Sequence, residues 1–238
     1  MREVHLNLDP HSYSITIDQN ILGNLGQWII PETKSNKVAV VTDEVVSKLY
    51  GDIVLKSLRD FEFDVRMIQV PSGEENKSLT WFSKVHDSLI DHQMDRSSTL
   101  IAFGGGVIGD LSGFVAATFM RGISWIQVPT TLLAQVDASV GGKTAINTPL
   151  GKNLVGSFHQ PKLVVADTSV LDTLPRRELL AGYAEVVKYG LLGDSQFFSW
   201  LEEHGLALIE GDTPARDYAV TTCCQVKAGI VSNDEFEN

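Results

Sequence analysis

Ser97–Asp110, SSTLIAFGGGVIGD, is the stretch on which the reading of this 238-residue chain turns. Thr99 to Phe103 is a short run of β-formers that ends in three consecutive glycines, and DLSGFVAATFM, starting at Asp110, has a helical pattern. A strand, a glycine turn and a helix start aim free backbone N–H groups at an anion, helped by the helix dipole. Gly104, Gly106 and Gly109 also satisfy G-x-G-x-x-G, the spacing of loops that cradle a dinucleotide pyrophosphate. The spacing alone fits equally a tight turn that only packs helix on strand, so the neighbouring segments have to decide.

Those neighbours alternate strand and helix. Residues 3–8 and 12–17, EVHLNL and SYSITI, alternate apolar with polar around a DPH turn and read as a hairpin. Lys37–Thr42 is an apolar run of the buried parallel kind, and Asp43 can cap a helix in which Val46, Leu49, Tyr50, Ile53 and Leu58 recur at helical spacing. Asp64–Val70 is a further strand, closed by the turn Pro71-Ser72-Gly73. Ser78 can cap a helix running to about Gln93, with Leu79, Phe82, Val85 and Leu89 facing inward. Ile123–Val128 and Lys162–Ala166 complete the strands. The pattern predicts an α/β fold with a mainly parallel sheet, whose ligands collect at the carboxyl ends of the strands. From Pro175 onward the periods are helical throughout. The expected division is therefore an α/β nucleotide-binding domain over residues 1–170 and part of an all-helical domain over 171–238.

Composition narrows the function classes. The chain is 43% apolar and 21% charged, an ordinary globular balance, and no apolar run nears the ~20 residues of a membrane span. The opening MREVHLNLDPHSYSITI lacks an apolar h-region, and the two cysteines, Cys223 and Cys224, are adjacent. Both features predict a reducing, cytoplasmic setting without structural disulfides, the thiols behaving as buried small hydrophobes. With 19 Lys and Arg against 30 Asp and Glu, the formal charge of −11 argues against nucleic acid and anionic membranes as partners. An anionic ligand would have to be held by local cations.

Local cations are found beside glycine turns. Pro129–Thr144, PTTLLAQVDASVGGKT, puts two hydroxyls at a strand end, a carboxylate at Asp137 and a lysine, Lys143, after Gly141-Gly142. Gly151-Lys152-Asn153 repeats the theme with a point charge and a two-way amide. Arg121, in the MRG turn, is a further cation. Glu185 and Lys188, three apart, share one helix face among apolar neighbours, which fits either a surface ion pair or a carboxylate offered to a divalent metal. One carboxylate does not complete a metal site, and the six histidines show no H-x-x-x-H spacing.

Taken together, PSGEENKS, FGGGVIGDLSGFVAATFMRG, QVPTTLLAQVDASVGGKTAIN, GKNLVGSFHQP and LPRRELLAGYAEVVKYGLL resemble the 3-dehydroquinate synthase family over about residues 43–238. The resemblance implies a homodimer with NAD in the α/β domain and Zn²⁺ or Co²⁺ in the helical one, the active site lying between them. It implies that Asp43, Glu74, Lys77, Gly105, Gly106, Val107, Asp110, Thr130, Thr131 and Lys152 contact NAD. Ser72, Gly73, Gly109 and Leu133, in the same turns, join that cofactor set. Arg121, Asp137, Lys143, Asn153 and Lys188 would hold the substrate, 3-deoxy-D-arabino-heptulosonate 7-phosphate, and Glu185 would be the first metal ligand. The reaction implied is oxidation at C5 by NAD, β-elimination of phosphate, return of the hydride and ring closure, so that NAD is regenerated.

Two departures accompany the resemblance. The glycine turn follows a mid-sheet strand and no acidic residue stands about 20 positions later, which predicts an NAD pose unlike that of ordinary dehydrogenases. The family also continues past VKAGIVSNDEFEN into a histidine-rich helical region supplying two more metal ligands. The expectation is that these 238 residues alone neither hold the metal tightly nor turn over. Within the enzyme class, other sugar-phosphate cyclases such as 2-deoxy-scyllo-inosose synthase and valiolone-type synthases share the scheme, and polyol dehydrogenases are more distant. Outside it, the alternative is a non-catalytic NAD-binding module.

Overall fold

The computed structural model describes residues 1–192 and 194–236. Nine strands are β1 (Arg2–Leu6), β2 (Tyr13–Asp18), β3 (Lys37–Asp43), β4 (Asp64–Val70), β5 (Thr99–Gly104), β6 (Ser124–Pro129), β7 (Lys143–Thr148), β8 (Gly151–Phe158) and β9 (Leu163–Asp167). The α-helices are α1 (Leu25–Ile29), α2 (Glu44–Asp60), α3 (Leu79–Asp91), α4 (Gly106–Thr118), α5 (Arg176–Leu191), α6 (Ser195–Glu210) and α7 (Thr213–Asn233). None is long and apolar enough to cross a membrane.

Seven strands form one sheet in the order β1-β2-β9-β6-β5-β3-β4, parallel except for the β1–β2 hairpin at its edge. The mainly parallel α/β fold expected from the sequence is therefore found, with the glycine turn at the end of a central strand. Alternation along each strand feeds two cores. Val38, Val40, Ile101, Phe103, Ile126 and Val128 point to one face, under Val54 and Leu58 of α2. Ala39, Val41, Leu100, Ala102 and Trp125 point to the other, under Val85 and Leu89 of α3 and Ile108, Leu111 and Val115 of α4. Burial of one such branched or aromatic side chain is worth about 1.5–3 kcal/mol, enough to fix register on both faces.

A third cluster joins Val4, Leu6, Ile15 and Val164 of the sheet's edge to Phe197, Leu201, Ala219 and Cys223 of the last two helices. Gly182 lets α5 press on the segment after β6, since a Cβ there would lie 2.6 Å from the Leu133 nitrogen. Arg216 ties the α6–α7 turn down: it donates to the Leu208 carbonyl at 3.1 Å and pairs with Asp172 at 2.5 Å.

Three local features differ from the sequence reading. β7 and β8 form a separate antiparallel hairpin where only glycine turns were expected; β8 is almost wholly exposed, and its apolar Leu154, Val155 and Phe158 do not alternate as a half-buried strand would. Leu79, expected to face inward, is 66% exposed, since it opens α3 before the helix reaches the sheet. Leu49 and Ile53 share an exposed stripe of α2, whose buried side is Gly51, Val54, Ser57 and Leu58.

Candidate functional site

The strand order reverses direction between β3 and β5, and a crevice opens there beyond their carboxyl ends, where open α/β sheets bind ligands. A cavity of about 680 Å³ occupies it. Its floor is Gly105, Gly106, Val107 and Asp110 at the start of α4, and Thr130, Thr131 and Leu133 after β6. One wall is Asp43 with Ser72, Gly73, Glu74 and Lys77, the other Val170, Thr173 and Leu174. Asp43 caps α2 by accepting from the Val45 and Val46 N–H groups at 2.9 and 3.0 Å, and Ser72 donates to the same oxygen. Tyr50, from α2, donates to the Val170 carbonyl and lies 2.8 Å from the Thr173 hydroxyl, holding the far wall.

Lys77 and Asp110 form a buried ion pair at the base of the cavity, with side chains 6% and 20% exposed. Burial pushes the Asp110 carboxyl above the usual range, against the downward pull of Lys77. Glu74 goes the other way. Partial burial raises it, but the Asn147 amide, Lys77 and Lys152 together outweigh that and hold its carboxyl below the usual range. The Thr130 hydroxyl is buried beside the cavity without a protein partner.

A second cavity of about 400 Å³ lies on the other side of Asp110, which lines both. Its walls bring together Lys143 from β7, Asn153 from β8, Lys188 and Tyr189 from α5, Lys227 from α7, and Asp137. Residues 134–138 form one π-helical turn, a local widening that recurs at functional sites, and it presents Asp137 to the cavity. Lys227 donates to both the carbonyl and the carboxylate of Asp137 at 2.5 Å, and the Tyr189 hydroxyl donates to that carboxylate at 3.2 Å. Burial first, then Asp137, drives the Tyr189 phenol upward, so it stays a donor. Lys188 pairs with Glu185 at 2.6 Å.

Most residues singled out in the sequence therefore converge on two adjoining cavities. Four do not line them. Gly109 packs α4 on β6, where a Cβ would sit 3.1 Å from the Gln127 side-chain oxygen. Lys152 is 73% exposed and pairs with Glu74 at 3.3 Å. Glu185 is bound to Lys188. Arg121 lies past the far end of α4, roughly 20 Å of helix from the glycine turn, with left-handed backbone at φ 69. Lys227, Tyr189 and Tyr50 were missed. Lys227 had a legible signal: it is the one charge on the stripe Cys223, Cys224, Lys227, Val231, spaced as a buried helix face.

The first cavity fits a dinucleotide. Its floor is a helix N-terminus, Thr130 offers a hydroxyl without a partner among the described residues, and the exposed apolar Val45 and Leu49 also line it. A divalent metal is not fitted in the same way, because among the described residues no three His, Cys, Asp or Glu side chains stand close enough to hold one.

The description of 3-dehydroquinate synthase N-terminal matches residues 67–181, and that of 3-dehydroquinate synthase C-terminal matches residues 182–238. The chain belongs to the 3-dehydroquinate synthase family. A 3-dehydroquinate synthase of Rhodospirillum rubrum is 55% identical over 98% of this chain and 60% of its own length. Among solved structures, 2-epi-5-epi-valiolone synthase from Streptomyces hygroscopicus subsp. jinggangensis, with NAD⁺ and Zn²⁺ bound, superposes at a TM-score of 0.89 with 27% identity, over 98% of this chain and 64% of that one. A 2-deoxy-scyllo-inosose synthase complexed with carbaglucose-6-phosphate, NAD⁺ and Co²⁺ gives 0.89 with 26% identity, over 100% and 65%. The chain thus spans about 60–66% of the length of the curated 3-dehydroquinate synthases it matches.

Proposed function

We propose that this chain forms the NAD-binding half and much of the sugar-acid site of a 3-dehydroquinate synthase, which converts 3-deoxy-D-arabino-heptulosonate 7-phosphate to 3-dehydroquinate and phosphate. One observation supports this above the others. In a chain of net charge −11, three lysines from three distant elements meet in one cavity beside the nucleotide-shaped crevice. A substrate with a carboxylate and a phosphate calls for that arrangement, and the neighbouring family members named above support the choice of a cyclase.

NAD, when bound, supplies a reversible hydride acceptor. The chain's own residues do the rest by holding groups in place. The α4 N-terminus and Thr130 take the pyrophosphate side of the nucleotide, with Ser72, Gly73, Glu74 and Lys77 along its edge and Thr131 and Leu133 beneath. Asp110, between the two cavities, sets where nucleotide and sugar acid meet. Lys143, Lys188 and Lys227 neutralise the substrate's anions, Asn153 takes a hydroxyl or carboxylate through its amide, and Asp137 is held by Lys227 and Tyr189 to accept from a hydroxyl. Glu185 is the carboxylate these residues would offer to a metal. Arg121 lies too far from this cavity to serve it within one chain; a homodimer and a cytoplasmic setting belong to the same proposal. So does the division into residues 1–170 and 171–238.

Calorimetric titration with NAD, followed by inorganic phosphate, tests the reading. Saturable heat with NAD is expected, abolished by Lys77→Met, and phosphate is expected to protect the segments carrying Lys143 and Lys188 from hydrogen exchange. No heat with the wild-type chain refutes the nucleotide site. Phosphate protection elsewhere refutes the anion site.

A further inference from the structure

We infer that Asn147 is a positioning residue that locks the nucleotide-side loop, Glu74–Lys77, to the tip of the β7–β8 hairpin, so that the two halves of the site are set as one unit. The inference rests on the functional reading above for what the two halves bind, and on the structure for the lock itself.

Asn147 sits where the β7–β8 ladder is irregular, between the pairs Ile146–Val155 and Thr148–Gly151. Freed from that ladder, its backbone turns to the other loop. Its N–H donates to the Lys77 carbonyl at 2.8 Å, and it forms an isolated parallel bridge with Ser78. The side chain then works in both directions. Its Nδ2 donates to Glu74 Oε1 at 2.8 Å, and its Oδ1 accepts the Asn153 backbone N–H at 3.1 Å. Glu74 lines the nucleotide crevice and Asn153 the basic cavity. Asn153 is at φ 58, a left-handed conformation that asparagine adopts more readily than most non-glycine residues, and the Asn147 oxygen holds its N–H there.

A primary amide of this length is the side chain that donates on one side and accepts on the other. Aspartate accepts only, and alanine does neither. The parallel link between the same segments, Lys152 to Glu74, joins a lysine largely in solvent to a half-exposed carboxylate and is screened. Asn147 is therefore the dominant tie, and neither composition nor spacing in the sequence marks it out.

Hydrogen exchange on the wild type, Asn147→Ala and Asn147→Asp, each with and without saturating NAD, tests the lock. Without nucleotide, Asn147→Ala is expected to speed exchange about tenfold both in the Glu74–Lys77 segment and at Asn153. Asn147→Asp keeps the acceptor for Asn153 and sets a carboxylate against Glu74, so only the Glu74–Lys77 segment should loosen. With NAD, the wild type should gain protection in both segments, and Asn147→Ala only around Glu74–Lys77. Equal loosening by both variants in both segments, or no loosening by either, overturns the lock. So does hairpin protection by NAD that survives Asn147→Ala. A wild type that takes no NAD sinks the nucleotide reading instead, while the nucleotide-free comparison of the three proteins still decides the role of Asn147.

Discussion

Lys77→Met deletes the ammonium at the base of the nucleotide crevice while keeping most of the side chain's apolar length. Asp110 is then left four-fifths buried without its contacting cation. Losing one partner of a buried pair costs about 3–5 kcal/mol, and the fifth of Asp110 that reaches solvent puts this case near 3. At a urea slope of roughly 2–3 kcal/mol per M, the unfolding midpoint should fall by about 1 M or somewhat more. Lys77→Met combined with Asp110→Leu removes both charges and is expected within about 1 kcal/mol of the wild type, or above it. The single variant should also show a stronger pH dependence than the wild type. Burial already holds the Asp110 acid high, and losing Lys77 removes the opposing pull. The folded state then keeps a proton that the unfolded chain has released, so stability falls as pH rises from the ordinary carboxylate value, about 3.9, through the raised one. The deficit of Lys77→Met should accordingly be smaller at pH 5 than at pH 8. Both variants should lose NAD in calorimetry, the double one while fully folded. A double variant as unstable as the single would trace the loss to packing of the lysine stem, and one that still binds NAD would remove the pair from the nucleotide site.

Thr130→Val tests the unpartnered hydroxyl: stability should hold or rise by up to about 1 kcal/mol, while NAD affinity drops roughly tenfold, as titration would report. An unchanged affinity would mean that the nucleotide does not reach this hydroxyl. Cys223 and Cys224 are fully buried with thiols pushed upward by that burial, so a disulfide reagent should label them only as the chain unfolds in urea. Rapid labelling of the native protein would place the inner face of α7 in solvent.

The strands of the main sheet were legible because buried parallel strands are continuous apolar runs bounded by turn residues. KVAVVT, TLIAF and KLVVA have that form, and the structure extends each by one residue at its carboxyl end and drops only Lys162. The β7–β8 hairpin was not legible, because its second strand faces solvent and takes five of its eight residues from Gly, Lys, Asn and Ser, which spell a loop when nothing packs on them. Of the glycines in G-x-G-x-x-G, Gly106 floors the crevice together with the neighbouring Gly105, while Gly104 and Gly109 serve close packing: a Cβ would collide with Ile108 at Gly104 and crowd Gln127 at Gly109. The motif located the crevice, but only one of its three glycines faces it. Asn147 escaped for another reason: it acts on Glu74, 73 positions away, which no local pattern encodes.

The basic cavity also explains how an acidic chain can hold three lysines together. Mutual repulsion of close ammonium groups is strong at the reduced dielectric of a partly buried wall. Lys227 meets it by binding Asp137, and Lys188 by binding Glu185. Two of the three lysines are thus paired in place, and the largely buried one, Lys227, is spared the cost of an unpaired charge. At Lys188 and Lys227 an arriving phosphate or carboxylate exchanges with a carboxylate already in place, so its net gain there is the difference between two ion pairs, and selectivity falls to geometry. That places the burden of discrimination on the groups that fix where the carboxylates and amides stand, which are Tyr189 on Asp137 and Asn147 on Asn153, more than on the lysines themselves.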